Sequence, residues 1–205
     1  VILAFSRFTY LGAGDLKDWD ECLYAWRAKL VVIRGEWLDQ SELAWKGYDT
    51  ASDSWSGFYS AAFPPLQVWF TALMFKLFGY TEFAARVWSA LAGAGTVIFL
   101  FLLGRRMGRN RWSGFFAALL MASVWYFAIY TRRSQFDVPY TFWICASLYG
   151  YVRYMDALRI VGRRALHTER AAWWWLVIAG VCLGLGLMNK IALALMAPIV
   201  MGGVS

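Results

Sequence analysis

The sequence predicts an all-α protein, a polytopic bundle of transmembrane helices with amphipathic interfacial helices in a long first outer loop. Apolar residues make up 60% of the chain and charged residues only 16%, whereas soluble domains are about half apolar and about a quarter charged. Several apolar stretches approach the roughly 20 residues that a helix needs to cross a bilayer. Arginine clusters separate some of these stretches, which is typical of cytoplasmic loops in membrane proteins.

The complete transmembrane helices are expected in apolar segments bounded by charge or glycine, namely Phe83–Leu103, Trp112–Tyr130, Val138–Met155 and Ala172–Asn189. Residues 1–14 and 191–205 are apolar but short, so we expect each to be part of a further span. The chain starts at Val1 without a methionine and stops within an apolar run. We therefore expect the N-terminal part of a larger transmembrane domain, with the C-terminal part missing.

Loop charge orients these helices. Gly104–Arg111 contains four arginines and no acidic residue, and Arg153–Arg170 contains five arginines against two acidic residues. Because cytoplasmic loops collect Lys and Arg, we expect both loops on the cytoplasmic side. The helix Phe83–Leu103 then runs from outside to inside, and residues 15–82 form one outer loop.

The segment Pro64–Gly79 is apolar but shorter than a full span, and it contains Lys76. Since both of its ends belong to the outer loop, we expect a helix on the outer membrane surface that starts at the two prolines. Its lipid-facing residues would be Trp69, Phe70, Leu73 and Leu77. The alternative is a short span with inverted topology, which would put both arginine clusters outside.

Most of the acidic residues lie in the outer loop, where Asp15–Leu66 holds nine of the thirteen in the chain. This segment also predicts a second interfacial helix, because apolar residues recur at spacings of three and four. They are Leu23, Trp26, Leu30, Ile33 and Trp37. Any polar chemistry of this chain is therefore expected at the outer surface.

The pair Asp20-Glu21 opens that helix and is the only adjacent acidic pair in the chain. Asp20 is a candidate catalytic base. It also suits a helix cap, and Asp18 with Glu21 has the spacing of a capping box. Spacing alone leaves cap and catalyst open, and one carboxylate can serve as both.

The second candidate segment is the short outer loop Arg132-Arg133-Ser134-Gln135-Phe136-Asp137. Arginines on the outer side run against the usual charge bias, and guanidinium groups suit phosphate oxygens. An anionic ligand is one interpretation, and lipid headgroups or acids of the first loop are the alternative. Lys190 is a third cation on the outer side. It could bind the same anion, or it could simply extend its ammonium to the membrane interface.

Several function classes are disfavoured. Trp112–Tyr130 and Ala172–Asn189 contain no ionisable residue, whereas transporters place such residues along a path through the bilayer. The single histidine, His167, lies in a predicted cytoplasmic loop, and the three cysteines are far apart. Neither a metal site nor a histidine-based triad is indicated, and a divalent metal has no support. No cofactor is firmly implied, and no nucleic acid is expected.

These residues resemble the GT-C membrane glycosyltransferases, within them the branch of the protein O-mannosyltransferases and the bacterial lipid A aminoarabinose transferase. The resemblance follows chain order through WDECLYAWRAKLVVIRGEW, FPPLQVWFTALMFKLFGYTEFAARVWSALAG, FLLGRRMGRNRWSGFFAALLMA and YTRRSQFDVPYTFW. It implies a sugar moved from a polyprenyl-phosphate donor to a protein, lipid or glycan acceptor bearing a hydroxyl or phosphate. The expected place is the outer face of the cytoplasmic membrane, among membrane lipids.

The resemblance also implies site residues. Asp20 maps to the general base, and the substrate-binding positions are Glu21, Tyr24, Arg132, Arg133, Asp137 and Lys190. Many relatives carry a lysine just before Pro-Pro-Leu, and this chain has Phe63 there. A single base acting opposite the phosphate implies inversion at the sugar carbon. The alternative is a non-enzymatic multi-span protein, either half of a transporter or an assembly subunit.

Overall fold

The computed structural model describes residues 8–17, 20–35, 37–38, 46–49, 54–57, 65–161, 167–190 and 201–202. Their helices are α1 (Asp20–Arg34), α2 (Leu66–Phe78), α3 (Glu82–Met107), α4 (Arg111–Ser123), α5 (Trp125–Tyr130), α6 (Asp137–Val161) and α7 (His167–Leu187). Between α1 and α2 lie two strands, β1 (Lys46–Asp49) and β2 (Ser54–Gly57). Most of the expected partial spans, residues 1–7 and 191–200, lie outside the described residues.

Local signals explain where several helices begin and end. The Thr81 side chain accepts a hydrogen bond from the Ala84 amide at 3.1 Å and caps α3. Asn110 does the same for α4 by accepting from the Trp112 amide at 3.0 Å. Gly79 ends α2 with φ of 76°, a left-handed conformation that glycine adopts without a steric penalty.

Helix α3 is the central element of the bundle, because it packs against α2, α4 and α6, while α6 packs along α7. Among the described residues it is the one helix that is long and apolar enough to cross a membrane. It crosses α4 closely: a Cβ at Gly114 would lie 2.4 Å from the Phe101 carbonyl oxygen. Small residues permit such close approach of two apolar helices.

The segment Trp112–Tyr130, expected as one span, consists of two helices in the structure. Val124 has φ −64° and ψ 117° and separates α4 from α5. The Ser123 hydroxyl donates to the Leu120 carbonyl at 2.8 Å, which competes with the backbone ladder at the last turn of α4. Hydropathy does not detect such a break, since both sides of it are apolar.

Helix α1 packs on α2, which packs on α3, and buried residues of all three helices form one core cluster. The buried face of α1 carries Tyr24, Ala28 and Val31, whereas Trp26 and Ile33 of the expected apolar stripe are more than half exposed. Trp26 and Ile33 are thus exposed and can contact lipid. A second apolar face of α1 packs against the rest of the protein.

The expectation that α2 turns four large residues toward lipid is correct only in part. Leu73 and Leu77 are exposed. Phe70 instead stacks on Trp88 of α3, with ring centroids 3.8 Å apart, and the Trp69 indole donates to the Trp37 carbonyl. An aromatic ring thus holds Phe70 inside the protein, and a backbone carbonyl holds the Trp69 indole.

The strands β1 and β2 form an antiparallel hairpin in register Lys46 with Gly57 and Asp49 with Ser54. This hairpin is an addition to the predicted all-helical architecture. Its sequence contains β-favouring aromatic residues, Tyr48 and Trp55, at paired positions. The rest of the regular structure that the coordinates describe is helical.

The two ends of the bundle differ in chemistry. At one end Arg106 pairs with Asp156 at 2.6 Å, and the Arg153 guanidinium lies 4.2 Å from the Trp175 ring centroid. At the other end, the start of α3 contacts α1 through Arg86 and Glu21, and Lys190, after α7, contacts Asp137 at the start of α6. The α5–α6 loop, residues 131–136, lies in the middle of this second end.

Candidate functional site

The side chain of Arg86 joins α3 to α1 at this second end. Arg86 is only 5% exposed, and Glu21 is fully buried. The Arg86 Nε donates to Glu21 Oε1 at 2.8 Å, and Nη2 donates to Oε2 at 3.3 Å. A charge buried in a protein is stable only when it is paired and hydrogen-bonded, and this geometry meets both conditions.

Arg86 also holds the segment that precedes α1. Its terminal nitrogens donate to four backbone carbonyls, those of Leu11 at 3.2 Å, Ala13 at 3.2 Å, Gly14 at 3.0 Å and Asp15 at 2.8 Å. Every nitrogen of the guanidinium therefore has a partner. The planar fork of arginine suits such a set of acceptors better than a lysine ammonium does.

Glu21 uses both carboxylate oxygens to hold backbone. Besides Arg86, Oε1 accepts from the Ser134 amide at 2.9 Å, and Oε2 accepts from the Lys17 amide at 2.7 Å. Burial by itself would raise the pKa of Glu21, but the bonds from Arg86, Lys17 and Ser134 hold it below its ordinary value. Glu21 thus stays ionised and ties the α5–α6 loop to α1.

The neighbouring carboxylate has a different environment. Asp20 is the first residue of α1 and is half-buried. Its Oδ2 accepts from the Gln135 Nε2 at 3.4 Å. The helix N-terminus favours its negative charge. Asp18, the partner of the expected capping box, lies outside the described residues.

Tyr24 lies one turn further along α1 and is 2% exposed. Its ring meets Phe136 of the α5–α6 loop edge-on, with centroids 5.4 Å apart. Burial, and to a lesser degree the negative charge of Asp20, raises the pKa of the Tyr24 hydroxyl. The phenol remains protonated at neutral pH and acts as a neutral group beside Asp20.

Cations follow along the same loop. Arg132 is exposed and Arg133 half-buried, with the Arg133 guanidinium 5.7 Å from the Tyr130 ring centroid. Lys190 donates to Asp137 Oδ1 at 3.1 Å and lies 4.5 Å from the Phe136 ring centroid. Asp137 offsets the charge of Lys190, and the loop itself carries the guanidinium groups of Arg132 and Arg133.

The structure therefore brings all the sequence-predicted site residues to one end of the bundle. Those on α1 contact the α5–α6 loop through Glu21, Asp20 and Tyr24, and Lys190 reaches the same loop from the end of α7. Among the described residues, no group of three or more His, Cys, Asp or Glu side chains is placed to hold a metal ion.

Sequence reasoning missed Arg86, Ser134 and Gln135. A signal for Arg86 was present, since it lies within the apolar segment Phe83–Leu103, where an ionisable residue is rare and usually functional. Ser134 acts through its backbone amide, so its side chain gives no signal. Gln135 lies between the charged residues of the segment 132–137, and the interpretation of that segment rested on their charges.

Comparison with known proteins gives a family match. Residues 56–204 match the model of the family described as dolichyl-phosphate-mannose-protein mannosyltransferase. That range covers α2 to α7 and the residues of the α5–α6 loop. The apolar helix α3 and this match together indicate a membrane protein.

Two curated relatives cover nearly the whole chain. The undecaprenyl phosphate-alpha-4-amino-4-deoxy-L-arabinose arabinosyl transferase of Pseudomonas aeruginosa is 27% identical over 201 residues, which are 97% of this chain and 33% of the relative. The corresponding transferase 1 of Pseudomonas fluorescens is also 27% identical over 201 residues, with the same coverage. The chain thus spans about a third of the length of these relatives.

A solved structure shares the fold. The crystal structure of ArnT from Cupriavidus metallidurans in the apo state superposes with a TM-score of 0.67 at 18% sequence identity. The alignment covers 94% of this chain and 32% of that chain. The helical arrangement described above therefore resembles that of part of the ArnT structure.

The lowered pKa of Glu21 predicts an acid-sensitive fold. A carboxyl group whose pKa is lower in the folded protein stabilises it above the ordinary value, here 4.5, and this stability is lost as pH falls through the lower folded value. In thermal unfolding of the full-length protein, Glu21→Gln should lack this loss below about pH 4.5. The exposed acid Glu82 provides the control, because Glu82→Gln should keep the wild-type pH dependence. An equal acid dependence in Glu21→Gln and wild type would contradict the assignment.

Proposed function

Because the chain belongs to the dolichyl-phosphate-mannose-protein mannosyltransferase family, we propose that it is part of a glycosyltransferase. The transferase moves a sugar from a polyprenyl-phosphate donor to an acceptor hydroxyl at the outer face of the cytoplasmic membrane. The family description and the names of the relatives both contain a sugar linked to a polyprenyl phosphate, mannose in one and 4-amino-4-deoxyarabinose in the other. The donor class rests on this shared chemistry, and the acceptor is a protein, lipid or glycan.

The observation that carries the proposal is the position of Asp20. Its half-buried carboxylate lies at the start of α1 and accepts a hydrogen bond from Gln135. Gln135 belongs to the loop that also carries Arg132 and Arg133. A carboxylate that can take a proton and cations that can bind a phosphate thus belong to one end of the bundle. Glu21 cannot serve as the base, because Arg86 and two backbone amides occupy its oxygens.

Asp20 supplies general base catalysis in this proposal. An acceptor hydroxyl is a weak nucleophile near neutral pH, and a positioned base that removes its proton contributes about 10²–10⁴-fold. The acceptor oxygen forms a bond to the sugar carbon as the bond from that carbon to the phosphate oxygen breaks. The proton passes to Asp20, and the electron pair leaves with the lipid phosphate. One displacement opposite the phosphate inverts the sugar carbon.

The leaving phosphate gains negative charge, which Arg132 and Arg133 are suited to stabilise. The chain has Phe63 where many similar proteins carry a lysine, and position 63 lies outside the described residues. Lys190 is a weaker candidate for the phosphate, because its ammonium already binds Asp137. We assign the phosphate to the two arginines of the α5–α6 loop, because guanidinium groups bind phosphate oxygens in bidentate geometry.

We further propose a polytopic arrangement for the helices. In it, α3, α4 with α5, α6 and α7 cross the membrane, while α1 and α2 lie at the outer interface within the loop 15–82. Exposed apolar side chains support the interfacial placement, among them Trp26, Ile33, Leu73 and Leu77. The arginines after α3 support a cytoplasmic end there.

The base assignment predicts the behaviour of Asp20→Asn. Asparagine keeps the size and much of the capping ability of aspartate but cannot accept the proton. The full-length variant should fold and lose about 10²–10⁴-fold in turnover with polyprenyl-phosphate mannose or 4-amino-4-deoxyarabinose as donor. Asp15→Asn is the matched control, because Asp15 contributes only its backbone carbonyl to Arg86. Near wild-type transfer by Asp20→Asn would rule out the base role.

The phosphate assignment predicts weaker donor use in Arg132→Ala and Arg133→Ala. Each should raise the apparent KM for the donor by a factor that corresponds to more than the effect of an exposed ion pair. That effect is about 0–1 kcal/mol. Lysine at either position should restore donor use only in part, since it cannot reproduce the bidentate fork. Arg105→Ala, an exposed arginine at the other end of α3, should leave the donor KM unchanged. Unchanged donor KM and turnover in both loop variants would move the phosphate elsewhere.

The proposed orientation predicts which cysteines react in intact cells. Cys22 is exposed on α1 and should be labelled by a membrane-impermeant thiol reagent in a full-length background without other cysteines. Met107, at the end of α3, is 62% exposed, so Met107→Cys in the same background should react only after permeabilisation. The reverse pattern would invert the sides assigned above.

A further inference from the structure

Hydrogen bonds fix the backbone of Gln135 at both its amide and its carbonyl. Its amide donates to the Arg133 carbonyl at 2.8 Å, and its carbonyl accepts from the Ser89 hydroxyl of α3 at 3.2 Å. The preceding amide, that of Ser134, donates to Glu21. The Gln135 side chain therefore starts from a rigid position beside Asp20.

The charge of Asp20 sets the orientation of the Gln135 amide. The Nε2 group donates to Asp20 Oδ2 at 3.4 Å. In the reversed orientation, the amide oxygen would face a carboxylate that has only acceptor atoms when ionised, and the two would repel each other. The Gln135 Oε1 thus points away from Asp20.

This Oε1 is a buried acceptor with no hydrogen-bond partner in the part of the chain that the structure describes. Gln135 is only 8% exposed, and a buried polar atom without a partner is costly. Gln67 offers a comparison, because its Oε1 is also buried and lacks a partner. The Gln67 Nε2, however, lies 3.4 Å from the Thr71 hydroxyl, which can donate to Oε1 once the amide is reversed. Reversal of the amide thus satisfies Gln67 Oε1 without a ligand. Reversal of the Gln135 amide would instead place Oε1 against Asp20.

We propose that Gln135 is a positioning and specificity residue for the transfer reaction. Its Nε2–H holds one oxygen of Asp20, and its Oε1 accepts a hydrogen bond from a hydroxyl of the transferred sugar, next to the reacting carbon. This inference rests on the proposed function and adds to it the recognition of a sugar hydroxyl. The bond to Oδ2 leaves Oδ1 of Asp20 to take the proton of the acceptor.

The chemistry of the reaction selects the donor sugar as the source of that hydroxyl. The attacking acceptor hydroxyl has a single proton, and Asp20 removes it, so this group has no second proton for Gln135. The hydroxyl on the carbon beside the reacting carbon is adjacent to the bond that breaks and keeps its proton. Hydrogen bonds to this hydroxyl strengthen in transition states with charge on the sugar ring, as glycoside hydrolysis shows.

The test uses the full-length protein with undecaprenyl-phosphate-linked mannose and 4-amino-4-deoxyarabinose, each beside its 2-deoxy analogue. For the sugar that wild type transfers, Gln135→Leu should lower kcat/KM by about tenfold more than for its 2-deoxy analogue, whose smaller loss reports the positioning of Asp20 alone. Gln67→Leu is the matched control, with kcat, KM and sugar preference unchanged. Thermal unfolding of each variant checks that it folds.

A second variant separates the two halves of the proposal. Gln135→Glu keeps an acceptor oxygen but replaces the N–H donor with negative charge next to Asp20. It should keep the preference for the hydroxylated sugar and move the acidic limb of the kcat/KM profile upward by about one pH unit, because Asp20 then binds its proton more readily. The other charged and titratable groups at this end of the bundle stay the same in this comparison, namely Glu21, Tyr24, Arg27, Arg86, Arg132, Arg133, Asp137 and Lys190.

The outcomes distinguish this inference from the proposed function. If wild type transfers neither sugar, the proposed function fails. If wild type transfers a sugar and its 2-deoxy analogue equally well, only the role of Gln135 fails. Equal losses for both donors in Gln135→Leu, together with an unchanged pH profile in Gln135→Glu, would show a purely structural residue and overturn the proposal.

Discussion

The buried contact between Arg86 and Glu21 is the interaction on which the candidate site depends. It connects four parts of the chain that are distant in sequence: the segment Leu11–Asp15, helix α1, helix α3 and the α5–α6 loop. Such a pair gives little net stability compared with a well-packed apolar pair, but loss of one partner costs about 3–5 kcal/mol because a buried charge remains. Its main effect is to fix how these parts are placed relative to one another.

The adjacent carboxylates Asp20 and Glu21 show how position separates two similar groups. Glu21 points into the protein, where Arg86 and backbone amides saturate both oxygens. Asp20 is half-buried at the helix start, and its one described bond comes from the Gln135 amide. Glu21 thus maintains the geometry, and in the proposed reaction Asp20 keeps an oxygen for the acceptor proton. Adjacent positions on a helix point in different directions, so the pair itself does not decide the roles.

The sequence was sufficient for the helical architecture and for the two segments that form the site, because apolar length and charge clusters are local signals. It was not sufficient for details that depend on distant contacts. Arg86 has its partner 65 positions away in the sequence, and Phe70 faces inward because Trp88 stacks on it. The break at Val124 arises within a continuous apolar run, where hydropathy has no contrast. Composition predicts where a segment lies, and packing decides which of its side chains meet.

A double-mutant cycle between Glu21 and Arg86, read on thermal unfolding and on sugar transfer by the full-length protein, tests the central claim most directly. Glu21→Gln and Arg86→Met should each be strongly destabilising, and each should reduce transfer although neither is the base. The double variant should be more stable than the sum of the single effects allows, with a coupling energy of about 1–3 kcal/mol, since no buried charge is left alone. Additive effects on stability, or wild-type transfer in both single variants, would contradict the claim that this pair holds Asp20 in place.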